Sequence, residues 1–84
     1  MSLLSQISNR LRAVHVTWHF LPGEWQVKEA GSSTVLYRST SKPPAITYGR
    51  SYAIAIKGEL IVHNMDGTIA ERDSHGHDPF PPRG

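Results

Sequence analysis

The side chains with the widest chemical reach in this chain are five histidines, His15, His19, His63, His75 and His77, in a sequence without cysteine. Imidazoles take borderline dications, and His75, His77 and Asp78 form the densest ligand set, suited to Zn or Ni. Nothing in a Pro/Gly-rich tail fixes a second ligand cluster beside them, so these groups read as solvated and no metal is expected. His15 and His19 share one face of a strand around Thr17, but four strand residues separate their Cα atoms by about 13 Å. One ion cannot bridge them directly. His63 closes an apolar run and reads as a hydrogen-bonded structural histidine. Asp73-Ser74-His75 places acid, nucleophile and base types side by side, yet neighbours on extended chain point to opposite faces, so adjacency does not make a triad. Gly23, Gly31, Gly49, Gly58, Gly67 and Gly76 stand singly and form no phosphate loop. Asp66-Gly67 lacks the further oxygens of a calcium loop. The expectation is a chain that is not an enzyme, with no catalytic residue, no cofactor and no bound metal.

Two binding chemistries remain. Trp18, Trp25 and Tyr37 would stack unpaired bases if they stood on an open sheet face, with Lys28 and Arg38 near the phosphates. They would form the core if a helix covered that face, which a small sheet needs, and this is the preferred reading. Charge divides unevenly: residues 1–57 hold seven Lys/Arg against two Glu, and residues 58–84 hold two Arg against five Asp/Glu. The basic part supplies the candidate nucleic-acid contacts Arg10, Arg12, Lys28, Arg38, Lys42 and Arg50. They are spread singly along the chain and form no clustered stripe, so the acidic part lying over the basic part is favoured. Asp78-Pro79-Phe80-Pro81-Pro82-Arg83 has the composition of a polyproline docking peptide, or of a tail that folds back on Phe80.

The elements that must position these groups follow from periodicity. Leu3, Leu4, Ile7 and Leu11 fall at helical spacing and predict a short N-terminal helix, which needs a docking surface to persist. Val14, Val16, Trp18 and Phe20 alternate with His15, Thr17 and His19, the period of a half-buried strand. Leu21-Pro22-Gly23-Glu24 is a turn, a second strand starts at Trp25, and Thr34 to Arg38 predicts a third after the Gly31-Ser32-Ser33 turn. Ser41-Lys42-Pro43-Pro44 starts a helix, with serine as cap and prolines in the first turn. Ala45, Gly49, Tyr52, Ala53 and Ile56 share its face; a mid-helix glycine makes sense only where the backbone lies against the sheet. Gly58 is expected to end the helix in the left-handed position. Glu59-Leu60-Ile61-Val62-His63 predicts a fourth strand, Asp66-Gly67 a hairpin turn, and Thr68 to Arg72 a fifth strand. The predicted core is Val16, Trp18, Trp25, Val27, Tyr52, Ala53, Ile56, Leu60, Val62 and Ile69.

Eighty-four residues make one domain with a small core, since a chain of this size buries only about 60% of its unfolded surface. No apolar run approaches the roughly 18 residues of a membrane span. Arg10 and Arg12 follow the apolar residues of the N-terminus instead of preceding them, the wrong order for a secretory signal, and without cysteine a reducing cytoplasm is the expected location. Beyond composition, the chain resembles a family of short uncharacterised bacterial and phage proteins known as a domain of unknown function. The resemblance covers about residues 14–84 and rests on Trp25-Gln26-Val27-Lys28, Ala45-Ile46 and Gly49-Arg50, Glu59-Leu60-Ile61-Val62-His63, Asp66-Gly67-Thr68-Ile69, Arg72-Asp73-Ser74 with Gly76, and Asp78-Pro79-Phe80-Pro81-Pro82. Lys42-Pro43-Pro44 departs from the acidic polar turn more usual in that family. The resemblance implies the fold and no activity.

Together these observations predict an α+β protein, β-β-β-α-β-β, with one antiparallel-rich sheet and a helix packed on one face. Residues 1–12 form an N-terminal extension, 13–73 the domain and 74–84 a Pro-rich extended tail. The expected role is a non-enzymatic protein-interaction or regulatory module, as a homodimer or with another protein partner. The alternative is a nucleic-acid binder using the basic residues.

Overall fold

The computed structural model describes residues 12–75. Five strands and one helix follow one another as β1 (Ala13–His19), β2 (Glu24–Glu29), β3 (Tyr37–Ser39), α1 (Lys42–Ile56), β4 (Glu59–His63) and β5 (Ile69–Ser74). The strands form one mixed sheet in the order β3-β2-β1-β4-β5. Its outer pairs are antiparallel neighbours in sequence, while β1 and β4 pair in parallel at its centre, Val16 opposite Val62. A parallel pair cannot be closed by a tight turn, and here α1 is part of the long connection.

Alternation sorts each strand into two faces. Val14, Val16 and Trp18 of β1 stand beside Trp25 and Val27 of β2 and Leu60 and Val62 of β4, and α1 lies over them with Ala45, Gly49 and Ala53 buried. Both tryptophans are therefore on the covered face: Trp25 is buried and Trp18 packs partly buried against it, ring centroids 5.3 Å apart. An ideal Cβ on Gly49 would stand 2.9 Å from Val16 Cγ2 and 3.1 Å from Leu60 Cδ1. Only glycine lets the helix sit this close to the sheet.

Four expectations need correction. Ile69 is 48% exposed and outside the core. A register shift between Val62 and His63 sets Glu71 opposite Val62 but Ile69 opposite His63, so the bulge turns Ile69 to the face away from α1. Lys57, at φ 56°, takes the left-handed position that ends the helix. Gly58 serves a different purpose, since a Cβ there would meet the Arg12 carbonyl oxygen at 2.7 Å. Ser41 precedes α1 but makes no side-chain cap bond. The third strand runs over Tyr37–Ser39, later and shorter than alternation implied. Val14, Ala13 and Ile61 are also buried. The predicted helix at residues 3 to 11 and the tail from Gly76 onward lie outside the described residues.

Candidate functional site

The face of the sheet away from α1, which no described element covers, carries Ala13, His15, Thr17 and His19 from β1, Gln26 and Lys28 from β2, Arg38 from β3, and Glu59, Ile61 and His63 from β4, as their pairings require. Its centre is a pair of imidazoles. His15 Nδ1 lies 2.9 Å from His63 Nε2, with the rings stacked at 5.2 Å. His63 Nδ1 in turn faces the Gly67 carbonyl oxygen at 3.3 Å. A carbonyl only accepts, so His63 carries its proton on Nδ1 and offers the Nε2 lone pair to the His15 N–H. Burial, and then the neighbouring His63, push the His15 imidazole below its ordinary range, while Glu59 opposes them. His19 stays apart from this pair, with its Nε2 bonded to Thr17 Oγ1 at 2.9 Å.

The basic residues are held differently. Arg12 donates to both carboxylate oxygens of Glu29, at 2.6 and 3.0 Å. That bond, which Tyr52 augments, holds Glu29 below the usual carboxylate range. Arg38 reaches Glu24 at 2.6 Å, and Gln26 donates to the same oxygen. Arg50 leaves α1 to meet Glu71 at 2.6 Å and Asp73 at 3.1 Å, tying the acidic β5 to the helix. Lys42 stands 4.9 Å over the Trp25 ring. Of the six candidate nucleic-acid contacts, three are thus bound to carboxylates of this chain and one to an aromatic ring. Lys28 lies on the face away from α1, and Arg10 is outside the described residues.

A second feature comes from the direction of the strands. Because β1 and β4 run parallel, the turns that follow them emerge at the same end of the sheet. The first turn exposes Phe20 (73%) and Leu21 (91%); the second brings Met65 (54%) and, on its return, Ile69. Gly23 and Gly67 hold φ of 100° and 92°, the left-handed geometry each turn requires. Asp66, the charged residue of the second turn, is bonded to the Thr68 N–H and hydroxyl, which hold its carboxyl below the ordinary range.

Sequence reasoning placed His15, His19 and His63 on the correct strands but missed the His15–His63 contact, which spans 48 residues of sequence and depends on the β1–β4 register. Of Asp73, Ser74 and His75, the first is committed to Arg50. His77 and Asp78 are outside the described residues. Among the described residues no three His, Asp or Glu side chains converge on one point, and no helix is long and apolar enough to cross a membrane.

Compared with known proteins, residues 14–75 match a family model described as "uncharacterized protein conserved in bacteria". No curated protein and no solved structure matches the chain.

Proposed function

The chain belongs to this bacterial family, DUF2188, and from that premise we propose that it is a non-enzymatic protein-interaction module whose docking surface is the hairpin end of the sheet and whose partner there is a second copy. The observation that carries this reading is the exposure of Phe20, Leu21, Met65 and Ile69, delivered to one end of the sheet by two hairpins. Exposed apolar side chains gathered in this way mark contact surfaces, whereas single ones do not. Among the described residues, the candidate arginines Arg12, Arg38 and Arg50 have their charge met within the fold, at Glu29, Glu24, Glu71 and Asp73.

Edge-to-edge pairing is a poorer route. β5 presents Glu71, Arg72 and Asp73 along its length, and β3 has three residues; charged or very short edges resist strand addition. At the hairpin end, burying each large apolar side chain contributes about 1.5 to 3 kcal/mol at most. Across two copies that is of the same order as the roughly 4 to 15 kcal/mol lost on association. The dimer is accordingly weak and concentration-dependent.

Sedimentation equilibrium tests this over a wide concentration range. The mass rises from the 9.3 kDa of one chain toward twice that value, and the Phe20→Ser/Leu21→Ser variant stays monomeric with an unchanged circular dichroism spectrum. A chain that remains monomeric throughout, and that retards mixed DNA or RNA in a salt-sensitive manner, would overturn the reading in favour of nucleic acid.

A further inference from the structure

We propose that His15 and His63 form a two-imidazole site for a late first-row dication, Cu²⁺ or Ni²⁺ ahead of Zn²⁺, on the face of the sheet away from α1. His15 Nδ1 and His63 Nε2 are 2.9 Å apart. Two nitrogens bound at about 2.0 to 2.1 Å to one ion are separated by about 2.9 Å when the N–metal–N angle is 90°, and by about 3.3 Å when it is tetrahedral. The observed spacing is that of adjacent ligands in a square-planar or octahedral shell, the geometry of Cu²⁺ and Ni²⁺.

Two further features suit the pair to this task. The Gly67 carbonyl at His63 Nδ1 fixes the tautomer that leaves Nε2 free to coordinate, the outer-shell arrangement common to metal-binding histidines. The ligands also project from β1 and β4, the paired central strands, so the backbone spacing between them is set before any ion arrives. Binding changes one tautomer and releases no net proton: the hydrogen on His15 Nδ1, now shared with His63, is given up as His15 takes one on Nε2, and the Nδ1 and His63 Nε2 lone pairs both face the ion. No third protein ligand converges among the described residues, so water fills the remaining positions. Glu59 and Arg72 face each other at 3.9 Å on the same side of the sheet, and together they leave the local charge near neutral.

The test is calorimetric titration of the untagged full chain with NiCl₂ and CuCl₂, alongside His15→Asn, His63→Asn and a His75→Asn/His77→Asn double variant that controls for the tail. One ion binds per chain, and either sheet variant weakens affinity by at least ~10-fold, the loss that follows from removing even an outer-shell partner. The tail variant changes nothing. Electron paramagnetic resonance of the Cu²⁺-loaded wild-type chain shows coupling to two imidazole nitrogens, a readout that does not depend on any variant folding. Absence of binding, or binding abolished in the tail variant and retained in both sheet variants, would overturn the proposal.

Discussion

Replacing Gly49 by alanine sets two well-known effects against each other at one atom. In a helix interior alanine is favoured over glycine by about 0.8 to 1 kcal/mol, so on propensity alone Gly49→Ala stabilises α1. The added Cβ, however, stands 2.9 Å from Val16 Cγ2 and 3.1 Å from Leu60 Cδ1. The leucine methyl ends a flexible side chain and can move. The valine methyl is on a β-branched side chain with one strongly preferred rotamer, in a fully buried strand position. Overpacking of this kind costs about 1 to 3 kcal/mol, which outweighs the propensity gain and leaves a net loss of about 1 kcal/mol. Urea denaturation followed by tryptophan fluorescence reads it, and in a domain of this size the melting temperature falls by about 4 to 8 °C for each kcal/mol. Val16→Ala alone loses about 2 kcal/mol, but it removes the methyl that alanine at 49 would strike. The double variant is therefore less damaged than the two single losses predict, by about 1 kcal/mol of coupling. A Gly49→Ala chain that melts above the parent, or a double variant whose losses simply add, would refute the claim that helix-to-sheet approach sets this residue.

Gly58→Ala costs more than Gly49→Ala, because its Cβ meets the backbone oxygen of Arg12 at 2.7 Å and no rotamer can relieve the clash; paired denaturation curves give the order. Trp25→Ala loses about 3 to 5 kcal/mol, a large share of the 5 to 15 kcal/mol typical of a domain, and a melting temperature close to the parent's would show that Trp25 is not core. Hydrogen bonds from Arg12 and Arg50 hold Glu29 and Asp73 below their ordinary values of 4.5 and 3.8. A depressed carboxyl stabilises the fold above its unfolded value and loses that contribution as pH falls through the folded one. Acid titration of stability therefore declines below about pH 4.5, and Arg12→Gln makes the decline shallower. Arg50→Gln speeds amide exchange in β5 while leaving β1 and β2 protected, since Arg50 joins α1 to Glu71 and Asp73.

Much of this fold was legible in the residues themselves. Strict alternation from Val14 to Phe20 marked β1, the paired prolines after Ser41 marked the helix start, and Glu59–His63 was bounded correctly because the short apolar run Leu60-Ile61-Val62 stands between the Gly58 and Asp66-Gly67 turn signals. Local signals failed where a long-range contact decides the outcome. The bulge that turns Ile69 outward is a property of its pairing with β4, and the glycine at 58 answers to the carbonyl of Arg12, 46 positions earlier in the chain. For the same reason the imidazole pair was invisible: His15 and His63 each read as one residue on a strand, and only the parallel register of those strands makes them neighbours. Of the arginine pairings, only Arg50 with Glu71 and Asp73 joins the basic part of the chain to the acidic part, as the charge division anticipated; Arg12–Glu29 and Arg38–Glu24 lie within the basic part and were not legible.

The backbone around Gly58 and Glu59 has a topological consequence. Glu59 donates its N–H to the Arg12 carbonyl on one side, and Gly58 accepts from the His75 N–H on the other. The first and last described residues thus flank one strand, about 10 Å apart at two strand spacings, at the end of the sheet opposite the hairpin tips. Joining them through a short glycine-rich bridge and reopening the chain at Gly31-Ser32-Ser33 gives a circular permutant with every strand pairing intact. A carrier joined at Arg12 or at His75 is attached at that same end, so the domain can be tethered or immobilised while Phe20, Leu21 and Met65 still face outward.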